Sequence, residues 1–182
     1  MQLSGSNGID EAALADIDYL RAMTTGDTIS SFLSLDSVAV GMPGGEAKAV
    51  IDRMVDLLKS DERVRDLERL REAVNARERM MSTGVGTGLA IPHTRTDAVS
   101  STVGAFAVTA EPALFGSPDE VPVRLVFLLA GPASDMSRHI RVLSRISRLM
   151  QREEFRLRLL SAATPLEVLE AFEGAESTLL AS

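Results

Sequence analysis

Cysteine and tryptophan are absent from the 182 residues, tyrosine occurs once, and lysine stands only at Lys48 and Lys59. Without cysteine there can be no disulfide, no thiolate nucleophile and no thiolate metal site. No apolar run approaches the roughly 18 residues that a bilayer-spanning helix needs. The polar start, Met1 to Gly8, lacks the basic-then-apolar order of a signal peptide, so a cytoplasmic protein is expected. The net charge of −7 argues against nucleic-acid binding, which needs a surplus of cations to neutralise phosphates. The apolar share of 45% is that of an ordinary globular chain, and this length can bury a core without staples.

The chain divides into an appendage, residues 1–28, and a main body, residues 29–178. In the appendage Ile9, Ala13, Ile17 and Leu20 fall near helical spacing and predict a short amphipathic helix. The body alternates strand and helix signals. Ser37 to Val40 reads as a strand. Ala47, Val50, Ile51, Met54, Leu57 and Leu58 then repeat at 3.6-residue spacing and predict a helix with one apolar face. A second helix is expected from about Val64 to Arg77. A glycine-rich turn follows from Ser82 to Gly88, and a short strand from Leu89 to Ile91. Val103–Ala110 and Val123–Leu129 read as strands, the latter buried on both faces because it is continuously apolar. Ser134 is the expected cap of a helix over Asp135–Gln151, with Ile140, Leu143, Ile146, Leu149 and Met150 inward. A short helix near Glu153–Leu160 and a last one opened by the Thr164-Pro165-Leu166-Glu167 capping box complete the chain. This order predicts an α/β fold, a small mixed sheet with helices on both faces.

The chemistry concentrates in one stretch, Arg77-Glu78-Arg79-Met80-Met81-Ser82-Thr83-Gly84 followed by Gly86-Thr87-Gly88-Leu89-Ala90-Ile91-Pro92-His93. It sets an imidazole at the end of a buried strand. With an ordinary pKa near 6.5, histidine is largely neutral at pH 7 and offers a lone pair as a reversible nucleophile. Arg77 supplies a guanidinium able to pair bidentately with phosphoryl oxygens. The glycines do not form a nucleotide-binding loop, because no Lys-Ser or Lys-Thr pair follows them. Taken alone, this histidine also suits a structural role.

The same stretch resembles the signature of the fructose/mannitol-type enzyme IIA domains of the bacterial phosphotransferase system, including the nitrogen-regulatory IIA proteins. The resemblance extends over about Ile29–Glu176. It implies a type 2 enzyme IIA domain over residues 29–178 with a mannitol-IIA-like fold, and His93 as a phosphohistidine intermediate. It further implies that His139, the chain's only other histidine, orients or stabilises the active imidazole or its phosphoryl group. Arg77 matches the family's active-site arginine, and Ser82 and Thr83 match hydroxyls near the pocket. The implied donor is a small phosphocarrier protein of the HPr or NPr type, and the implied receivers are a IIB domain or regulated proteins. Contact with a membrane permease is at most peripheral, and a monomer or weak dimer is expected. No cofactor and no metal are expected. A metal at the two histidines would need further ligands such as Asp97, Asp119 or Asp135.

Thr94 departs from the glycine usual after the motif histidine, and as a β-branched residue it would resist a positive φ. Arg138, Arg141, Arg145, Arg148 and Arg152 recur at spacings of three and four. That stripe is either a docking rim for an acidic partner, with Arg138 and Arg141 nearest the site, or a solvated face. Three functions follow. The leading one is a stand-alone nitrogen-regulatory IIA, expected because the sequence carries no fused IIB or membrane domain. The others are a soluble IIA for fructose- or mannitol-type sugar uptake and a binding module that works without phosphorylation.

Overall fold

The computed structural model describes residues 28–180. The amphipathic helix expected around Ile9–Leu20 lies outside them. The chain enters through a one-turn 3-10 helix, Ile29–Phe32, and then forms β1 Val38–Met42, β2 Gly45–Glu46, α1 Ala47–Asp56 and α2 Leu67–Met80. Next come β3 Gly84–Gly86, β4 Leu89–Ala90, β5 His93–Arg95, β6 Val103–Leu114 and β7 Val123–Gly131. Three helices close the chain: α3 Met136–Met150, α4 Glu153–Ser161 and α5 Pro165–Leu180.

The strands make one mixed sheet, ordered β1-β6-β7-β4-β3, with β2 beside β6 and β5 beside β7. β6 and β7 are antiparallel, whereas β1 runs parallel to β6 and both β4 and β5 run parallel to β7. Side chains alternate across a strand, and here the alternation builds two cores. Phe106, Val108, Leu125, Phe127 and Leu129 join Val142, Ile146, Phe155, Leu159 and Phe172 under α3–α5. Ala105, Ala107, Val126 and Leu128 join Val50, Ile51, Met54, Leu70 and Val74 under α1 and α2. The sheet is therefore a middle layer, and the buried run of β7 is explained by helices on both sides. Phe172 meets Phe106, Phe127 and Phe155 edge-on with ring centroids 5.2–5.9 Å apart.

Several boundaries differ from the sequence reading. α2 starts at Leu67, because the carboxylate of Asp66 accepts the N–H of Arg69 and caps it there. It also runs one turn further, to Met80. α3 is capped by Asp135 rather than Ser134, since the Asp135 carboxylate takes the Arg138 N–H at 3.1 Å. The inward face of α3 is His139, Val142, Ile146, Leu149 and Met150, while Ile140 is 55% exposed. The Thr164 cap is present: its hydroxyl accepts the N–H of Glu167, and Glu167 accepts from Ala163.

One buried charge ties the ends of the domain together. Glu176 on α5 is buried, and its carboxylate accepts the N–H of Ile29, the N–H of Ser30 and the Ser30 hydroxyl. The lone pairs that burial would otherwise strand are thus satisfied. Among the described residues no helix is long and apolar enough to cross a membrane.

Candidate active site

The site forms where the end of β7, the strand β5, the last turn of α2 and the first turns of α3 converge. β4 ends at Ala90, Ile91 and Pro92 make a step, and His93 opens β5. There His93, Thr94 and Arg95 run parallel to Leu129, Ala130 and Gly131 of β7, and the N–H of Leu129 bonds to the carbonyl of Pro92 at 3.0 Å. Thr94 therefore stands in a strand, which a β-branched residue favours. Positive φ among described non-glycine residues occurs only at Thr87 and Glu120. Thr94 therefore meets no positive φ.

An open cleft of about 410 Å³ is lined by Arg77, His93, Thr94, Arg95, Met136, His139, Ile140 and Leu143. It unites Arg77, His93 and His139, which lie far apart in sequence. Nδ1 of His93 lies 2.7 Å from the carbonyl oxygen of Ile91. A carbonyl can only accept, so Nδ1 carries the proton, and in the neutral ring Nε2 is left with its lone pair. The two imidazoles face each other with centroids 5.8 Å apart at a tilt of 42°. No hydrogen bond joins them among the described residues. His93 is oriented by Ile91, and His139 stands across from it.

His139 is buried, and its Nδ1 has no hydrogen-bond partner among the described residues. Gly131 makes room for it: a Cβ at that position would come within 3.1 Å of Nδ1. Burial, and then the neighbouring His93 and Arg95, push the His139 pKa down to about 4, with Asp135 opposing. His93 is also held below its ordinary value, mainly by burial and further by Arg77, while the Ile91 hydrogen bond and Glu78 oppose. Both rings are therefore neutral at pH 7.

This arrangement has a consequence for stability. The unfolded chain protonates His139 near 6.5, the folded protein near 4. Between those values the unfolded state binds the extra proton, so acid favours unfolding, and above about pH 6.5 the effect vanishes. The loss is about 3 kcal/mol over that window. Urea unfolding at pH 7 and pH 4.5 should show a smaller acid loss for His139→Gln than for wild type. Parallel losses in the two proteins would contradict the assignment.

Two guanidiniums serve the cleft. Arg77 lies in the last turn of α2 and donates from Nη1 to the carbonyl of Met81 at 3.1 Å. Arg95 donates from Nη1 to the carbonyl of Ala133 at 2.9 Å. Neither has a carboxylate partner among the described residues, and no carboxylate lines the cleft. The sequence reading missed Arg95. Its signal is the two-residue period of a strand, which puts residues 93 and 95 on one face, but the strand expected from sequence stops at Ile91, short of both.

The other expected residues lie elsewhere. Ser82 donates to the carbonyl of Gly116 at 2.8 Å. Thr83 is buried and its hydroxyl donates to Glu78. Neither lines the cleft. Gly86, Thr87 and Gly88 all have positive φ and form the tight turn between β3 and β4, so the glycines shape a hairpin and do not face the cleft. Arg138 sits over the Phe32 ring, 5.5 Å from its centroid, and Arg141 is exposed on α3. Neither is among the residues that line the cleft. Asp97 pairs with Arg69, Asp119 holds the Thr87 N–H, and Asp135 caps α3. Among the described residues no group of three metal-ligating side chains is found.

The family model for the phosphoenolpyruvate-dependent sugar phosphotransferase system, EIIA 2, matches residues 31–175. The chain belongs to this family. As an enzyme IIA it is 36% identical over 134 residues to the PTS system fructose-specific EIIA component of Haloferax volcanii, which covers 74% of this chain and 87% of that protein. Its fold matches the nitrogen regulatory protein IIA-Ntr of Neisseria meningitidis with a TM-score of 0.73 and 33% identity, over 79% of this chain and 98% of that one. It also matches IIA mannitol of Escherichia coli with a TM-score of 0.67, 24% identity and coverage of 77% and 98%. The last likeness speaks for the fold, the expected three-layer enzyme IIA architecture.

Proposed function

We propose that this enzyme IIA is a phosphohistidine carrier and that Nε2 of His93 takes the phosphoryl group. The observation that carries the reading is the bond from Nδ1–H to the Ile91 carbonyl in a cleft with two guanidiniums. A neutral imidazole fixed in this tautomer has one nucleophilic atom. The lone pair of Nε2 forms a bond to phosphorus as the phosphorus–nitrogen bond of a donor phosphohistidine breaks, and the donor ring keeps that electron pair. No proton need cross, because Nδ1–H stays on Ile91. Such transfer is governed by positioning and by stabilisation of the phosphoryl oxygens, which Arg77 and Arg95 provide. His139, neutral and close, is the further polar group within reach of the phosphoryl oxygens.

The donor in this reading is a phosphocarrier protein of the HPr or NPr type, and the reaction is cytoplasmic. Two fates of the phosphoryl group have support. One is regulatory: phosphorylation adds roughly two negative charges and switches contact with regulated proteins. The likeness to IIA-Ntr supports this fate. The other is transfer to a IIB domain for sugar uptake, which the likeness to a fructose-specific EIIA component supports. Incubation with phosphoenolpyruvate, enzyme I and a phosphocarrier protein should add the mass of one phosphoryl group. Unchanged mass, with a competent control IIA, would refute the carrier. Addition of a fructose-type IIB then separates the fates, since only a transport component discharges onto it rapidly.

A further inference from the structure

We propose that Glu78 is a positioning residue for His93, acting through Thr83 and Ile91 to hold the imidazole in the tautomer that leaves Nε2 bare. The inference rests on the reading of His93 as the phosphoryl acceptor. Its basis is an unbroken set of contacts. The Glu78 carboxylate accepts the backbone N–H of Thr83 at 3.1 and 3.2 Å to its two oxygens, and one oxygen also accepts the Thr83 hydroxyl at 2.5 Å. The carbonyl of Thr83 accepts the N–H of Ile91 at 3.0 Å. The carbonyl of Ile91 accepts Nδ1–H of His93 at 2.7 Å. Thr83 and Ile91 are buried, 4% and 3% exposed, so water does not compete for these bonds.

The placement of Glu78 argues for a purpose. It sits in the last turn of α2, where the helix dipole disfavours a carboxylate. Charge-assisted bonds to Thr83 offset that cost. They also join two parts of the site. Glu78 directly follows Arg77, and the two side chains diverge, one to the cleft and one to Thr83. Thr83 and Ile91 are the two residues that close the neck of the β3–β4 hairpin, from which the chain steps to His93. Glu78 thus registers the helix end that bears Arg77 against the strand that bears His93. Transfer requires that register, since an error of about 1 Å in placing reacting groups can cost on the order of 100-fold in rate.

The test uses the full chain with Glu78→Ala, Glu78→Gln and Thr83→Val. In the unphosphorylated protein at pH 8, the ¹⁵N shifts of the His93 ring should show a single Nδ1–H tautomer in wild type and a mixture in Glu78→Ala. In single-turnover phosphorylation, Glu78→Ala should lose about 10- to 100-fold in the maximal rate, with an unchanged half-saturating phosphocarrier concentration. Glu78→Gln keeps an acceptor oxygen and should restore the tautomer and most of the rate. Thr83→Val keeps the carbonyl to Ile91 but loses one bond to Glu78, and it should fall between. It carries the same reading should Glu78→Ala fail to fold. A single wild-type tautomer in Glu78→Ala and Thr83→Val would overturn the proposal, as would a loss confined to half-saturation. The tautomer is read without any phosphate, whereas a failure of His93 as acceptor shows separately as no uptake in wild type.

Discussion

The His93→Ala protein should take up no phosphoryl group from phosphoenolpyruvate, enzyme I and phosphocarrier protein, while remaining folded. The fold is spared because the His93 side chain makes one hydrogen bond, to Ile91, and the pairing of β5 with β7 uses the backbone. The half-buried ring contributes little to either core, since it belongs to neither cluster. What is lost is the Nε2 lone pair that the bond from Nδ1–H to Ile91 leaves bare on an oriented ring. His139 does not substitute. Its ring is only 5% exposed and packs against Gly131, 5.8 Å from His93, so it is far less open to a docked donor. Intact-protein mass spectrometry beside a circular dichroism melt gives both halves of the result. Residual uptake by His93→Ala at the wild-type rate would move the acceptor elsewhere.

Replacement of Arg77 by alanine should slow phosphoryl uptake by about 100-fold, the usual cost of removing one preorganised charge from a developing anion. Arg77→Lys should recover part of that loss, because lysine restores the charge without the planar fork. The same change at the exposed Arg79, two residues on in α2, should leave the rate within about twofold, since a solvated surface charge acts weakly. Arg77 also bonds to the Met81 carbonyl, so its removal loosens the chain that follows α2. The partial return of rate in Arg77→Lys separates charge from that mechanical effect. Rapid-quench measurement of the first turnover reads the step itself. Equal rates for wild type and Arg77→Ala would remove the guanidinium from the mechanism.

Much of this fold was legible because burial imposes a period. The apolar run of β7 and the alternation of Phe106 and Val108 with Ala105 and Ala107 in β6 follow from a sheet covered on both sides. α3 shows where the period misleads. Ile146, Leu149 and Met150 fit two registers, one that continues back to Leu143 and Ile140 and one that continues to Val142 and His139. Hydrophobicity favours the first. The protein uses the second: it buries an imidazole, turns Ile140 to the cleft wall, and leaves Leu143 half-buried between that wall and the core. A polar residue on an inward face is the mark of a site, and the sequence alone does not show which face is inward.

The site was legible in the same uneven way. Arg77, His93 and His139 were found through the family motif and meet in the cleft. Arg95 escaped because β5 is only three residues long, and a strand that short has no visible period. The family motif places the Thr83 hydroxyl near the pocket, but its partner is Glu78, five residues before it. That bond depends on how the chain turns after α2, which local propensity does not determine.

The nitrogen that carries the phosphoryl group is the most direct test of the account. Long-range ¹H–¹⁵N spectra of the phosphorylated protein distinguish the two ring positions. The hydrogen bond to Ile91 predicts phosphate on Nε2 of His93, with Nδ1 still protonated. Phosphate on Nδ1 of His93, or on His139, would contradict it.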